Sequence, residues 1–304
     1  MSKINIAVVG GGIAGLALAA GLAKKLHLSV HVYEAVGEYL DVGAGLALHR
    51  NAIRAMALLG PEHKDELVAK LGRAKGRKSG PKIQLKFVTG MSTFADCLLG
   101  ADGVPSVTRS YLLGPDHPAT GPKNHGEEAR KQINPTWKTS VPILPGPSGH
   151  INCTPLNRNT RLSAGVAVRD DHDHAPFYSC NNVAMLGDAA HASLPFAGNG
   201  AAQALEDAAV LNYIVTAQQA FRQVRRPRSQ SVVDLARKLG RVYAFAEDGM
   251  HGDPMRTKAF FAEMAAFTND FDVESQNHEA LGPFRQSLEG DVDARVWSPP
   301  VLSN

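Results

Sequence analysis

Gly10, Gly12 and Gly15 stand in a G-x-G-x-x-G spacing. They follow the β-branched run Ile4–Val9 and open the Ala/Leu-rich run Ile13–Lys25. Chemically this is a phosphate cradle. Gly10 permits a tight turn, Gly12 lets a pyrophosphate approach the backbone, and Gly15 lets the helix pack closely on the strand. The helix N-terminus then offers free N–H groups to the anion. A second strand, Leu28–Tyr33, ends in Glu34, whose carboxylate is placed to accept hydrogen bonds from the ribose hydroxyls of an adenosine. Strand, helix, second strand and acid in register predict dinucleotide binding, and the acid at 34 disfavours a 2′-phosphate there.

A second segment carries chemistry at the far end of the chain. Val183–Leu186 reads as a buried strand that delivers Gly187-Asp188 at its carboxyl end, where ligands gather in α/β sheets. Asp188 could accept hydrogen bonds from a polyol. Gly198-Asn199-Gly200 opens a strong helix to about Val215, with Leu205, Ala208, Ala209 and Asn212 on one stripe. Its free amides suit a ring that becomes anionic on reduction, as a flavin does. The competing reading is a strand–loop–helix connection with an acidic cap. Between the two segments, Leu99–Arg109 runs from a strand into a glycine turn carrying Asp102 and a helix start at Ser106, which reads equally as a capped turn.

The elements that must position these residues follow from composition and pattern. With 304 residues, 44% of them apolar, the chain holds one large domain or two modest ones. A net charge of +3 argues for no nucleic-acid partner. Three scattered cysteines give no disulfide framework and no metal spacing, as in a reducing compartment. Ile4–Ala23 lacks charge and imitates a membrane span, but its glycines split it into strand, turn and helix. No membrane span is expected, and the cytoplasm is the default location. Asn51–Leu59 reads as a helix, Phe94–Leu99 as a strand broken by Gly100, and His150–Val168 as a hairpin turning at 157–159. Ala217–Ala246 reads as helical with a break near Pro227, and the signal fades after Asp248. The basic runs at 61–82 and at Arg222, Arg225, Arg226 and Arg228 read as solvated faces. His172 and His174, among Asp170, Asp171 and Asp173, read as a polar surface loop rather than a metal site.

Taken together, GGGIAG with Glu34, GADGVPSVTR (100–109) and GDAAHASLPFAGNGAAQALEDAAVL (187–211) resemble the FAD-dependent aromatic hydroxylases. These are the single-component flavoprotein monooxygenases of the salicylate hydroxylase type, in their fungal branch. LLGPDHP (112–118), VRRPRSQ (224–230) and the stretch 41–60 with Asn51 share the likeness. The resemblance implies a Rossmann-like FAD/NAD(P)-binding domain in an α/β fold, interleaved with a β-rich substrate domain and followed by C-terminal helices. It implies FAD as cofactor, NAD(P)H and O2 as co-substrates, and hydroxylation of a small aromatic or polyketide-derived phenol in secondary metabolism. Residue by residue, it places Glu34 on the adenosine ribose, and the Gly45–Ala47 backbone against the cofactor. Asp102 falls near the pyrophosphate, with Arg109 anchoring its helix. Asp188 falls on the ribityl or pyrophosphate, Pro195 near the reacting edge of the flavin, and Gly200 and Ala201 at the ring. No catalytic base transfers.

The spacing departs from the family in two places. Only 41 residues separate Gly60 from Asp102, without the family's FAD-binding His-Arg pair. Arg109 to Gly187 holds about half the usual substrate sheet. The expected organisation is therefore a discontinuous FAD-binding domain (1–60, 94–110, 183–246), a shortened insertion (61–93), a reduced substrate domain (111–182) and a C-terminal tail (247–304). The alternative to a working hydroxylase is a truncated flavoprotein remnant without hydroxylase activity. A plain NAD-dependent dehydrogenase is a third reading, which has no use for GDAAH at the far end.

Overall fold

A computed structural model describes residues 3–39, 48–60, 82–120, 143–146, 149–156, 161–168, 173–214, 218–250 and 252–289. In chain order the elements are β1 (Ile4–Val9), α1 (Ile13–Leu22), β2 (Leu28–Tyr33), α2 (Arg50–Leu58), β3 (Ile83–Lys86), β4 (Ser92–Ala95), β5 (Cys97–Gly100) and α3 (Val107–Leu113). They continue with β6 (Ile143–Gly146), β7 (Gly149–Leu156), β8 (Arg161–Val168), β9 (Ser179–Cys180), β10 (Val183–Met185) and α4 (Asp188–His191). Four longer helices follow: α5 (Gly200–Ile214), α6 (Gln218–Tyr243), α7 (Pro254–Asn269) and α8 (Val273–Glu289).

The central sheet has the order β2-β1-β5-β10-β9. Its first four strands are mutually parallel, and only β9 runs against its neighbour. Parallel strands need cover on both faces, so they bury consecutive residues rather than alternate ones. In β1, Ile6, Ala7 and Val8 are all buried. Ile6 and Val8 face the helices with Leu18, Leu22 and Leu211. Ala7 faces the other way, against Leu85 and Ala95 of the antiparallel β3–β4 hairpin. The sheet is thus a middle layer between helices and a hairpin.

Helix α5 lies inside the molecule. Every residue from Ala202 to Leu211 is buried. Small side chains allow this: Ala202, Leu205 and Ala209 pack on Ala52 and Ala55 of α2. A Cβ at Gly21 of α1 would come within 2.9 Å of the Asn212 side chain, so that crossing needs glycine. A separate three-stranded antiparallel sheet, β6-β7-β8, holds the 149–168 hairpin in the register Leu156↔Arg161.

The structure corrects several expectations. Strand 94–99 is two strands, β4 and β5, with Gly100 inside the second. Helix α6 runs through Pro227 without a break. The region after 248, expected to be a tail, carries α7 and α8. Helix α7 begins where Asp253 accepts from Arg256 N at 2.9 Å, with Pro254 at its first turn. The uncharged run at 4–23 resolves into β1, a turn and α1. Among the described residues no helix is long and apolar enough to cross a membrane.

Candidate cofactor site

All four parallel strands point their carboxyl ends at the same edge of the sheet, and each end carries a residue of interest. Glu34 follows β2, Gly10 follows β1, Asp102 follows β5 and Asp188 follows β10. Backbone hydrogen bonds hold the ends in step: Gly10 N to Tyr33 O at 2.8 Å, Ala101 N to Val9 O at 2.7 Å, and Leu186 N to Gly100 O at 2.9 Å.

The glycine turn is built by exclusion. Gly10 sits at φ +102°, and a Cβ there would lie 2.2 Å from Ala101 O, just past the end of β5. A Cβ at Gly15 would lie 2.0 Å from Gly10 O. Gly12 is different: a Cβ there meets nothing within 4 Å. The backbone at Gly12 therefore borders open space, at the N-terminus of a helix with no side-chain cap and no acid in its first turn. That combination fits a phosphate group. Glu34 is exposed, and its carboxylate is anchored by Val36 N at 2.9 Å and Gly11 N at 2.5 Å. Those backbone donors, Val36 first and then Gly11, hold its carboxyl below the ordinary glutamate range. Tyr39 Oη donates to Gly11 O at 3.0 Å.

Asp102 caps its own helix. Its oxygens accept from Ser106 Oγ at 2.6 Å, Thr108 N at 2.9 Å and Thr108 Oγ1 at 3.1 Å. The capped-turn geometry is what the chain adopts here. Arg109 is buried and reaches across the edge. Its guanidinium donates to Asp188 O at 3.1 Å, to Ala189 O at 3.0 Å, and to Val104 O. Burial lowers its pKa against the opposing pull of Asp102 and Asp188. Arg109 thereby ties the loop after β5 to the turn after β10.

Gly187 sits at φ +59°, wedged where a Cβ would lie 3.0 Å from Ala14 Cβ and 3.3 Å from Ala204 Cβ. It brings the third segment against α1. Asp188 is exposed in the first turn of α4. Pro195 is exposed at the start of a 3-10 turn, Pro195–Ala197, that Phe196 pins by packing on Leu239. Gly200 and Ala201 open α5, again without an acid in the first turn. Gly45 and Ala47 lie outside the described residues, as do Asp170, Asp171 and His172. His174 pairs with Asp234 of α6 at 2.7 Å. Among the described residues no His/Cys/Asp/Glu group has metal-holding geometry.

Beneath this edge lies a charge network the sequence reading missed. Arg225 and Arg228, expected on a solvated face, are 0% and 6% exposed. Arg225 donates to Asp207 Oδ1 and to Glu206 Oε2, each at 2.7 Å, and to Gln276 Oε1 at 2.9 Å. Arg228 reaches Glu206 at 3.4 Å and the carbonyls of Phe267 and Thr268. Asn51 Nδ2 donates to Glu206 Oε1 at 2.8 Å and Asn199 Oδ1 at 3.3 Å, which links α2 to the start of α5. Burial alone would raise the Asp207 carboxyl, but His191 and Arg225 outweigh it and hold it down at about 2. The signal was available. Glu206-Asp207 are the only charges in an Ala/Leu-rich helix, so two buried acids demanded buried cations.

The chain is similar to known proteins over most of its length. Residues 8–38 match a family model described as an NAD(P)-binding Rossmann-like domain. The chain is 27% identical to the 6-methylsalicylate 1-monooxygenase of Aspergillus terreus, over 98% of this chain and 96% of that protein. That alignment runs over 430 residues, against 304 in this chain, so a large part of the relative faces gaps. Salicylate hydroxylase of Pseudomonas putida is 28% identical over 67% of this chain and 75% of its own. A salicylate hydroxylase substrate complex shares the fold, with a TM-score of 0.67 at 21% identity over 92% of this chain and 98% of that one. From glycine turn to final helices, the chain is a homologue of the salicylate hydroxylase-like FAD-dependent monooxygenases, fungal ones included.

Proposed function

We propose that the chain binds FAD along this edge and acts as a monooxygenase, using NAD(P)H and O2 to hydroxylate a small aromatic or polyketide-derived phenol. One observation carries the cofactor reading. The open backbone at Gly12, the Glu34 carboxylate, the Asp188 turn and the start of α5 all converge on the carboxyl edge of one parallel sheet. In this reading Glu34 accepts the adenosine ribose hydroxyls, and the α1 N-terminus faces the pyrophosphate. Asp102 and Arg109 hold the adjoining loop, Asp188 takes the ribityl–pyrophosphate stretch, and Pro195, Gly200 and Ala201 border the ring. Gly45 and Ala47 would add backbone contacts. The chemistry the group supplies when bound is two-electron transfer from a nicotinamide to dioxygen. One oxygen atom enters the phenol and the other leaves as water. The chain's own task is to orient the ring and exclude water. Residues 1–60, 94–110 and 183–246 would form the cofactor unit, with 111–182 as a reduced substrate unit, in a cytoplasmic protein.

A second reading has its own observation. The 430-residue alignment against 304 residues falls short internally, and the described part of 111–182 outside the central sheet has one three-stranded sheet. A pocket so thinned would admit water, leaving a flavoprotein without hydroxylase activity. Purified protein separates the two. Yellow protein that converts NAD(P)H and O2 into hydroxylated phenol supports the hydroxylase. NAD(P)H oxidation yielding only hydrogen peroxide supports the remnant. No retained flavin after incubation with FAD refutes both.

A further inference from the structure

Two acids stand side by side on α5, Glu206 and Asp207, both wholly buried and both bonded to Arg225. They differ in what else they hold. Asp207 Oδ1 takes Arg225 Nε, while Oδ2 accepts from Gly187 N at 2.8 Å and bonds His191 Nε2 at 2.6 Å. Those two groups stand at the two ends of α4, Gly187 as its cap and His191 as its last residue, in the single turn that begins with Asp188. One carboxylate therefore grips the turn at both ends and is itself clamped to α6. Arg109 takes the Asp188 and Ala189 carbonyls of the same turn. Glu206 bonds Asn51, Gln203, Arg225 and Arg228, none of which belongs to that turn.

We propose that Asp207 is a positioning residue for Asp188. Through Gly187 N and His191 it sets the direction in which the exposed Asp188 carboxylate meets the ribityl–pyrophosphate stretch of FAD. This rests on the FAD reading above. A buried charge-assisted contact is stronger and better aimed than a neutral one. Supporting residues of this kind govern how well a ligand-binding side chain is presented. Glu206 supplies the internal control, because it shares the burial and the cation but not the turn.

The test is a double-mutant cycle read by flavin fluorescence quenching, beside the thermal midpoint of each apo-protein. D207N weakens FAD binding by about tenfold or more, the loss expected for a charged hydrogen bond. E206Q, with a comparable fall in midpoint, weakens it by less than about threefold. In a D188A background the D207N penalty shrinks to less than about threefold, since the group it aims is gone. Should D207N fail to fold, H191A, which cuts one end of the grip on the turn and leaves Arg225 paired with both acids, is read in the same cycle with D188A. Wild-type affinity in D207N, or a penalty undiminished by D188A, overturns the inference while leaving FAD binding intact. Absence of FAD binding in the unmutated chain overturns the cofactor reading, and the inference with it.

Discussion

Gly10→Ala and Gly12→Ala separate what the glycine turn does for the fold from what it does for the ligand. At Gly10 the backbone sits at φ +102°. Holding an L-residue in such a region costs about 1–3 kcal/mol. The new Cβ would also lie 2.2 Å from Ala101 O, the residue that follows β5. Relieving that contact means moving backbone within a parallel sheet by about 1 Å, an overpacking cost of about 1–3 kcal/mol. Gly10→Ala is therefore expected to lose about 2–6 kcal/mol, a large share of an ordinary domain's stability.

Gly12 has φ −75° and ψ −169°, a backbone any residue adopts, and its Cβ would meet nothing within 4 Å. A small loss from replacing glycine at the N-cap offsets a small gain from a stiffer unfolded chain. Gly12→Ala should leave apo-protein stability within about 0.5 kcal/mol of wild type. Its methyl would nonetheless occupy the open space beside the α1 N-terminus and weaken FAD binding by about tenfold or more. Urea denaturation of the apo-proteins and FAD titration read the two effects separately. The reasoning is refuted if Gly12→Ala is as destabilised as Gly10→Ala, or if it binds FAD like wild type.

Arg225→Ala should cost about 3–5 kcal/mol in urea denaturation, because Glu206 and Asp207 lose their shared cation while remaining buried. Acid should expose the same network. The Asp207 carboxyl is held at about 2 in the folded chain against an ordinary value of 3.8. A depressed carboxyl stabilises the fold fully above its unfolded pKa, and that contribution, about 2 kcal/mol, vanishes as pH falls through about 2. Denaturant midpoints between pH 5 and pH 2 should fall with acid, and less steeply in D207N. Asp102→Ala should lose about 1–2 kcal/mol by thermal denaturation, since it strips the α3 terminus of its acceptor for Thr108 N and Ser106 Oγ.

The parts of the fold that were legible are those where sterics act locally. Gly10, Gly15 and Gly187 are required by contacts a few residues or one strand away, so their spacing announces the turn. The strands β1 and β2 fall at the residues the β-branched runs predict. The arginines of α6 were illegible for a physical reason. An arginine on a polar helix looks the same whether its partner is water or a carboxylate from another element. Only the pairing with Glu206-Asp207, about twenty residues earlier, distinguishes the cases. Helices α7 and α8 are masked in the sequence by flanks rich in Gly, Pro and acids, although Asp253-Pro254 is itself a helix-start signal.

The placement of the buried charges bears on how the chain survives a shortened middle. Glu206 and Asp207 reach α2, the Asp188 turn, α6 and, through Arg225 and Arg228, α7 and α8. None of these links passes through the β6–β8 sheet. The proposed cofactor edge is thus braced by elements at the two ends of the chain, with α5 as the hub between them. If residues 111–182 form the substrate unit proposed above, loss of residues there leaves that brace whole. Cofactor affinity and hydroxylation are then separable properties here. On the proposed division of the chain, a substitution at the hub should move the first and leave the second to residues 111–182.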